Sequence, residues 1–282
     1  MKRLLVTDVD NTLFDWQLIW YESFSAMSRA ALEISGLDPA KFYAECSILH
    51  QAHGTSEYSF VLSQLPSFRS MYGDDVLAVM QPAIDAFREA RRNNLSLYPG
   101  VADALDVLKR NGVVIAAFTE SKAFYTSYRF RKLGLDGPID FLYSPPDHQL
   151  PAEPGEIRMY EPETYALKHT QHRLTPEGEV KPNPHILLSI IDELGFTPEE
   201  TVYVGDNKLK DVFMAQQARV CDVYAAYGSA QHRADQYDLL KKVTHWTPEM
   251  VKRESEAIKP GAIVPTFSLE TSFSEIIKIV GV

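Results

Sequence analysis

Several things are scarce in this chain of 282 residues, and each scarcity argues against a class of protein. It has two cysteines, Cys46 and Cys221, far apart and outside any CxxC-type spacing. That argues against a disulfide framework and against a structural zinc site. Positive charge is also short, with 28 Lys and Arg against 38 Asp and Glu. Most of the surface should therefore repel nucleic-acid phosphates and anionic lipid head groups, which leaves room only for a local basic pocket. No apolar run approaches the length of a membrane span, and MKRLLVTDVD reaches Asp8 after too few apolar residues for a signal-peptide core. Internal repeats and low-complexity tracts are absent. The expectation is a cytoplasmic chain without a nucleic-acid or membrane partner, and the oligomeric state is not legible.

What is present is a globular composition, 45% apolar and 23% charged, sufficient for one α/β core with a sizeable insertion or for two modest domains. Arg3 to Thr7 is apolar without alternation, the pattern of a parallel strand covered on both faces. From Trp16 to about Asn94 the chain is rich in Ala, Leu, Phe and Met at helical spacing, and Pro39 and Pro66 divide it into several helices. After Tyr98-Pro-Gly100 strands and helices alternate. VADALDVLKR is an amphipathic helix, VVIAAF a strand ending at Thr119, SKAFYTSYRFRKL a helix for which Ser121 is a candidate cap, and Ile139 to Tyr143 a strand. A polar, proline- and glycine-containing stretch from Ser144 to Lys181 follows. Then come a helix from His185 to Gly195, a strand TVYVG, a helix KLKDVFMAQQA, a strand VCDVYAA and, after a less regular tail, a helix SFSEIIKIV. Such alternation predicts a doubly wound parallel sheet.

Ligands of such sheets bind beyond the carboxyl ends of the strands. One strand ends in Asp8-Val-Asp10-Asn-Thr12, the next in Thr119-Glu120-Ser121, and TVYVG in Gly205-Asp206-Asn-Lys-Leu-Lys-Asp211, while Lys181-Pro-Asn-Pro184 precedes the helix leading into TVYVG. Acidic clusters converging on one edge repel one another unless a cation holds them, and oxygen ligands suit a hard ion such as magnesium. A lysine and a hydroxyl among them point to phosphate recognition beside the metal.

DVDNTL, a strand-ending threonine, KPNP and GDNKLKD, in that order and at those positions, resemble the four motifs of the haloacid dehalogenase (HAD) superfamily. The resemblance covers Lys2 to about Thr12 and Tyr98 to about Tyr227, with Trp16 to Asn94 in the place of the superfamily's helical cap of the first type. It implies a Rossmann-like core at 1–15 and 96–282, an all-helical cap domain at 16–95, and an insertion within the core at 144–180. It further implies a Mg2+-dependent phosphatase acting on a small phosphorylated metabolite. Asp8 would attack phosphorus and form an aspartyl-phosphate, and Asp10 would serve as general acid and base. Thr119 and Lys181 would bind the phosphoryl group. Asp206 would hold the metal with Asp8 and the backbone carbonyl of Asp10, and Asp211 would assist from further out or through water. The dehalogenase branch lacks an acidic residue at the position of Asp10, so its presence implies phosphoryl transfer.

Two features depart from the pattern. Glu120 stands where many members carry Asn or Asp, which leaves its backbone amide to serve phosphate. The stretch between Thr119 and Lys181 is about twice what one strand–helix unit needs. Taken singly, each of these residues has a blander explanation: a strand-end aspartate as a helix cap, a lysine as a solvated charge, a threonine as a β-branched strand residue. Their joint order overturns that.

In the cap, His50, His53 and Tyr58 lie in a polar, aromatic stretch that resembles a substrate-facing loop, with a solvated interhelical turn as the equal alternative. The one-turn spacing of His50 and His53 suits a metal but lacks a third ligand. Arg69, Arg91 and Arg92 read as ordinary solvated charges. A phosphomutase of the β-phosphoglucomutase kind would use the same motifs, and a catalytically silent scaffold is the alternative of another class, against which the intact Asp8, Asp10, Lys181 and Asp206 argue.

Overall fold

The first strand, β1 (Leu4–Thr7), is buried along its whole length, and its side chains split between two cores. Leu5 enters one apolar cluster, Leu4 and Val6 the other, as the alternation of a strand requires. The computed structural model describes residues 2–147, 162–176, 178–229, 233–250, 252 and 263–282. Around β1 it builds a seven-stranded, all-parallel sheet in the order β4-β3-β2-β1-β5-β6-β7. The other strands are β2 (Val114–Phe118), β3 (Phe141–Ser144), β4 (Gln171–Leu174), β5 (Thr201–Gly205), β6 (Cys221–Ala225) and β7 (Phe267–Leu269). The chain leaves β1 in one direction through β2, β3 and β4, then returns to the other side of β1 for β5. That reversal opens a crevice at the carboxyl ends of β1 and β5.

The chain leaves the core just after β1 and builds a helical layer of α1 (Trp16–Ser35), α2 (Pro39–His53), α3 (Val61–Gln64), α4 (Pro66–Tyr72), α5 (Val76–Val79) and α6 (Gln81–Asn94). Asp15 starts α1 by accepting the Leu18 N–H, and Asp38 starts α2 by accepting that of Lys41. Helices α1 and α6 lie along each other. Trp20, Phe24, Phe42, Phe60, Phe68 and Met80 close a core separate from those of the sheet. The sheet is covered on one face by α7 (Val101–Arg110) with Phe130 of α8 (Ala123–Leu133), and on the other by α9 (Pro184–Glu193) and α10 (Phe213–Gln217).

Helix α11 (Ala234–Val243) lies within 96–282, the span read from the sequence as core, and it packs on α1 and α2 of the helical layer. Its Leu240 and Val243 enter the helical core. The Val243 carbonyl lies 2.6 Å from His50 Nδ1, and Ser56 Oγ pairs with His245 at 3.0 Å. The chain finishes with β7 and α12 (Ile276–Val280), which returns Ile276 and Val280 to the sheet's core. Of the 144–180 stretch, residues 148–161 and 177 lie outside the described residues. The remainder includes a 3-10 turn at Pro162–Tyr165 and the edge strand β4. Among the described residues no helix is long and apolar enough to cross a membrane.

Candidate active site

Asp8 directly follows β1, and its N–H still donates to Val204 of β5, so the strand pairing itself fixes where its carboxylate begins. Asn11 then takes a left-handed φ of 60°, and the turn brings Thr12 Oγ1 back to donate to Asp8 Oδ2 at 3.1 Å. Lys181 Nζ donates to the other oxygen, Asp8 Oδ1, at 2.5 Å. Both side chains are almost wholly buried.

Asp206 follows β5 in the same way. Asn207 then caps a π-type turn, Lys208–Val212, by accepting the N–H groups of Leu209 and Lys210. This turn folds Asp211 back beneath Gly205, so closely that a Cβ on Gly205 would sit 2.3 Å from Asp211 Cγ. Only glycine permits that approach. Asp211 is buried and accepts from Lys181 Nζ at 3.0 Å, Tyr203 OH at 2.8 Å and the Asn207 N–H at 3.0 Å. One carboxylate oxygen from each of Asp8, Asp206 and Asp211 lies within 4.8 Å of the others.

The electrostatics follow from this crowding. Burial, offset in part by Lys181 and reinforced by the Asp211 and Asp10 carboxylates, pushes Asp8 up to about 7. Burial and the same neighbours, Asp8 and Asp211, carry Asp206 well above the carboxylate range. Burial works against the charge on Lys181, yet Asp211 and Asp8 hold it well above the ordinary lysine value. One ammonium among three carboxylates leaves net negative charge in a site where a cation fits, and all-oxygen donors at these separations suit a hard divalent ion.

Asp10 faces the other way around the turn. Its Oδ2 accepts from Ser121 Oγ at 2.6 Å and Thr119 Oγ1 at 3.1 Å, and its Oδ1 from Arg129 at 3.3 Å. Thr119 also accepts the Ser121 N–H, so its hydroxyl is engaged within the strand-end loop. Ser121, expected to cap α8, does not: Lys122 holds that position without a side-chain bond, and the serine hydroxyl serves Asp10 instead. The carboxylate of Glu120 accepts the Lys181 N–H at 3.0 Å and Lys210 Nζ at 2.6 Å. Its side chain thus anchors the loop that presents Lys181.

Sequence reasoning passed over Arg129 and placed Glu57 only within the polar stretch from His50 to Tyr58. The Arg129 guanidinium is buried, lies over the Phe14 and Tyr125 rings, and joins Asp10 of the core to Glu57 of the helical layer. Burial opposes its charge, but Glu57 and Asp10 raise it above the ordinary arginine value. The available signal was spacing: Arg129 stands two helical turns beyond Ser121 and one beyond Tyr125, on the inward face of α8.

Two of the three cap residues, His50 and Tyr58, line a cavity between the helical layer and α8. His50 and His53 belong to α2 rather than to a loop. His50 is buried, and that burial lowers it to about 4, keeping the ring neutral against the Val243 carbonyl. His53 stacks on the buried Tyr58 with centroids 3.7 Å apart.

Over residues 2–219 the chain matches the family model of the haloacid dehalogenase-like hydrolases. It is 24% identical over 241 residues to the glyceraldehyde 3-phosphate phosphatase of Methanopyrus kandleri, covering 82% of this chain and 87% of that one. To the phosphoglycolate phosphatase of Pseudomonas putida it is 24% identical over 267 residues, covering 94% and 81%. Its fold is similar to that of YfnB from Bacillus subtilis, described as a HAD-hydrolase and solved bound to magnesium, with a TM-score of 0.50, 16% identity, and coverage of 100% and 99%. Because the family match spans β1 with Asp8, the Lys181 loop and the acidic end of β5 together, this chain belongs to the haloacid dehalogenase-like hydrolases.

Proposed function

We propose that this hydrolase is a cytoplasmic phosphatase that cleaves phosphate monoesters of small metabolites through an aspartyl-phosphate on Asp8. The observation that carries the reading is the pairing of Asp8 with Lys181 beside Asp206 and Asp211, together with a second carboxylate, Asp10, two residues beyond the nucleophile. A carboxylate oxygen of Asp8 attacks phosphorus, and the bond from phosphorus to the leaving oxygen breaks. Asp10 gives its proton to that oxygen, then takes one from a water that attacks the aspartyl-phosphate and releases inorganic phosphate. Lys181 offsets the charge gathered on the phosphoryl oxygens, and Asp211 with Glu120 holds Lys181 in place. Thr119 supplies a hydroxyl to the same group once Asp10 turns toward the leaving oxygen. Asp8, Asp206 and the backbone carbonyl of Asp10 would hold Mg2+, which supplies charge neutralisation and orientation for the phosphoryl group.

On this reading 16–95, joined by α11, acts as the cap. Both of its connections lie beside the site and serve as hinges. Two relatives that act on small phosphorylated compounds support the substrate class. The test is release of inorganic phosphate from a panel of phosphomonoesters with and without Mg2+, coupled to intact-protein mass spectrometry of acid-quenched turnover. A phosphoryl adduct that disappears in Asp8→Asn is expected. Turnover undiminished in excess chelator, or an adduct persisting in Asp8→Asn, would overturn the assignment.

A further inference from the structure

Between the helical layer and α8 lies a cavity of about 460 Å3. This is within the range, roughly 300–1,000 Å3, of pockets that enclose drug-sized ligands. It abuts the catalytic end. Glu57 lines it, and Glu57 is bound by the same Arg129 that donates to Asp10. The Glu57–Arg129 pair is therefore the partition between the cavity and the carboxylate assigned to protonate the leaving oxygen.

The walls of the cavity define what fits inside. Trp20 and Phe24 stack on each other on the α1 side, and Phe87, Tyr125 and Tyr128 face them from α6 and α8. Three serine and four tyrosine hydroxyls line it, and Ser56, Ser59 and Tyr125 are already engaged: Ser56 pairs with His245, and Ser59 with Tyr125 at 2.6 Å. No Asn, Gln or Asp lines the cavity among the described residues. Apolar and aromatic side chains make up most of the wall, so a flat apolar ring matches more of it than a polyhydroxylated sugar does.

The charge is the reverse of the chain's overall balance. Arg91, Arg92 and Lys132 line the cavity, and its lining carboxylate, Glu57, is neutralised by Arg129. The Arg91 guanidinium is held 4.5 Å over the Tyr128 ring, yet its Nε is buried without a hydrogen-bond partner. The buried Ser23 hydroxyl on the same cavity likewise lacks a partner. Two donors held in an aromatic wall without acceptors mark the place where a ligand's own oxygens belong.

We infer that this cavity receives the alcohol portion of the substrate, and that the substrate is a phosphomonoester of a planar aromatic alcohol carrying a second anionic group, held by Arg91. The inference rests on the phosphatase reading above and names its substrate class. A two- or three-carbon alcohol would leave most of the cavity unfilled.

The test compares 4-carboxybenzyl phosphate with benzyl phosphate, whose leaving alcohols are of similar basicity, and with phosphoglycolate and glucose 6-phosphate. In the wild type, 4-carboxybenzyl phosphate should have the highest kcat/KM. Arg91→Met should lower that value roughly 10- to 100-fold while changing benzyl phosphate less than about threefold. Arg91→Lys, which keeps the charge, should recover part of the loss. A damaged cap would depress both benzyl substrates alike. Higher kcat/KM for phosphoglycolate or glucose 6-phosphate, or equal losses on both benzyl substrates in Arg91→Met, would overturn the inference and leave the phosphatase reading standing. Failure of every ester, with 4-(hydroxymethyl)benzoate still bound by the wild type and not by Arg91→Met in calorimetry, would instead overturn the phosphatase reading and uphold the cavity's ligand class.

Discussion

Magnesium and protons should compete for the same carboxylates, and the competition has a predictable slope. One carboxylate oxygen each of Asp8, Asp206 and Asp211 lies within 4.8 Å of the others. At that distance two unit charges repel by about 3 kcal/mol for an effective dielectric constant of about 20. Burial is the larger cost, repulsion adds to it and Lys181 relieves only part of the two, so without metal Asp8 is pushed up to about 7 and Asp206 is also raised. A raised carboxylate keeps its proton until the pH passes its folded-state value. Below about pH 7, Mg2+ therefore has to displace the proton of Asp8, and above it that proton is already lost. Each displaced proton weakens apparent affinity about tenfold per pH unit, which is about 100-fold between pH 7 and pH 5, or about 3 kcal/mol. Titration calorimetry at pH 5, 6, 7 and 8, in buffers of different ionisation enthalpy, measures both the affinity and the protons released. The expected curve is steeper below pH 7 than above it, with more proton release at pH 6 than at pH 8. Asp8→Asn should reduce the slope. An Mg2+ affinity constant within threefold from pH 5 to pH 8, or proton uptake on binding, would refute the placement of the ion among these carboxylates.

Three further perturbations probe the parts of the site separately. Asp10→Asn should form the phosphoryl adduct slowly and lower turnover roughly 100- to 10,000-fold, the usual contribution of general acid–base catalysis. Rapid-quench kinetics would show this, and turnover within tenfold of wild type would remove Asp10 from that role. Gly205→Ala drives a methyl group into Asp211 and should both displace Lys181 and cost about 1–3 kcal/mol of stability. Denaturant unfolding together with kcat measures this, and an unchanged kcat would mean that Asp211 does not hold Lys181 where it acts. Glu57→Gln removes one of the two charges facing the buried Arg129 and should cost about 1–3 kcal/mol. The corresponding fall in Tm is roughly 2–10 °C, and no change would show that the pair does not bind cap to core.

The features legible in the sequence are those fixed by the local chain. β1, β2 and β5 announce themselves because a strand buried on both faces must be apolar without interruption, and Asp8 and Asp206 because they stand directly after such runs. β4 carries no such signal: Gln171–Leu174 has exposed ends and polar residues, since an edge strand needs backbone pairing on one side and little apolar burial. β7 is three residues long with an exposed Phe267, and its pairing with β6 is visible only once the sheet exists. α11 falls in the tail that reads as less regular in the sequence, and nothing in its spacing says that its apolar face will meet α1 and α2 from a distant part of the chain.

The same distinction explains why Arg129 was missed. Lys181 was found because it sits in a segment whose order relative to Asp8 and Asp206 is itself a signal. Arg129 sits in mid-helix among aromatic residues, where an arginine ordinarily extends its stem over the rings and its head into water. Here that route is closed, because Phe14 and Tyr125 pack against the guanidinium and leave the side chain 3% exposed. A buried guanidinium must be paired. Its partners are Asp10, 119 residues earlier in the chain, and Glu57, 72 residues earlier. One belongs to the core and the other to the helical layer. A charge committed to both ties Asp10 to the helical layer, and only the tertiary fold brings the three together.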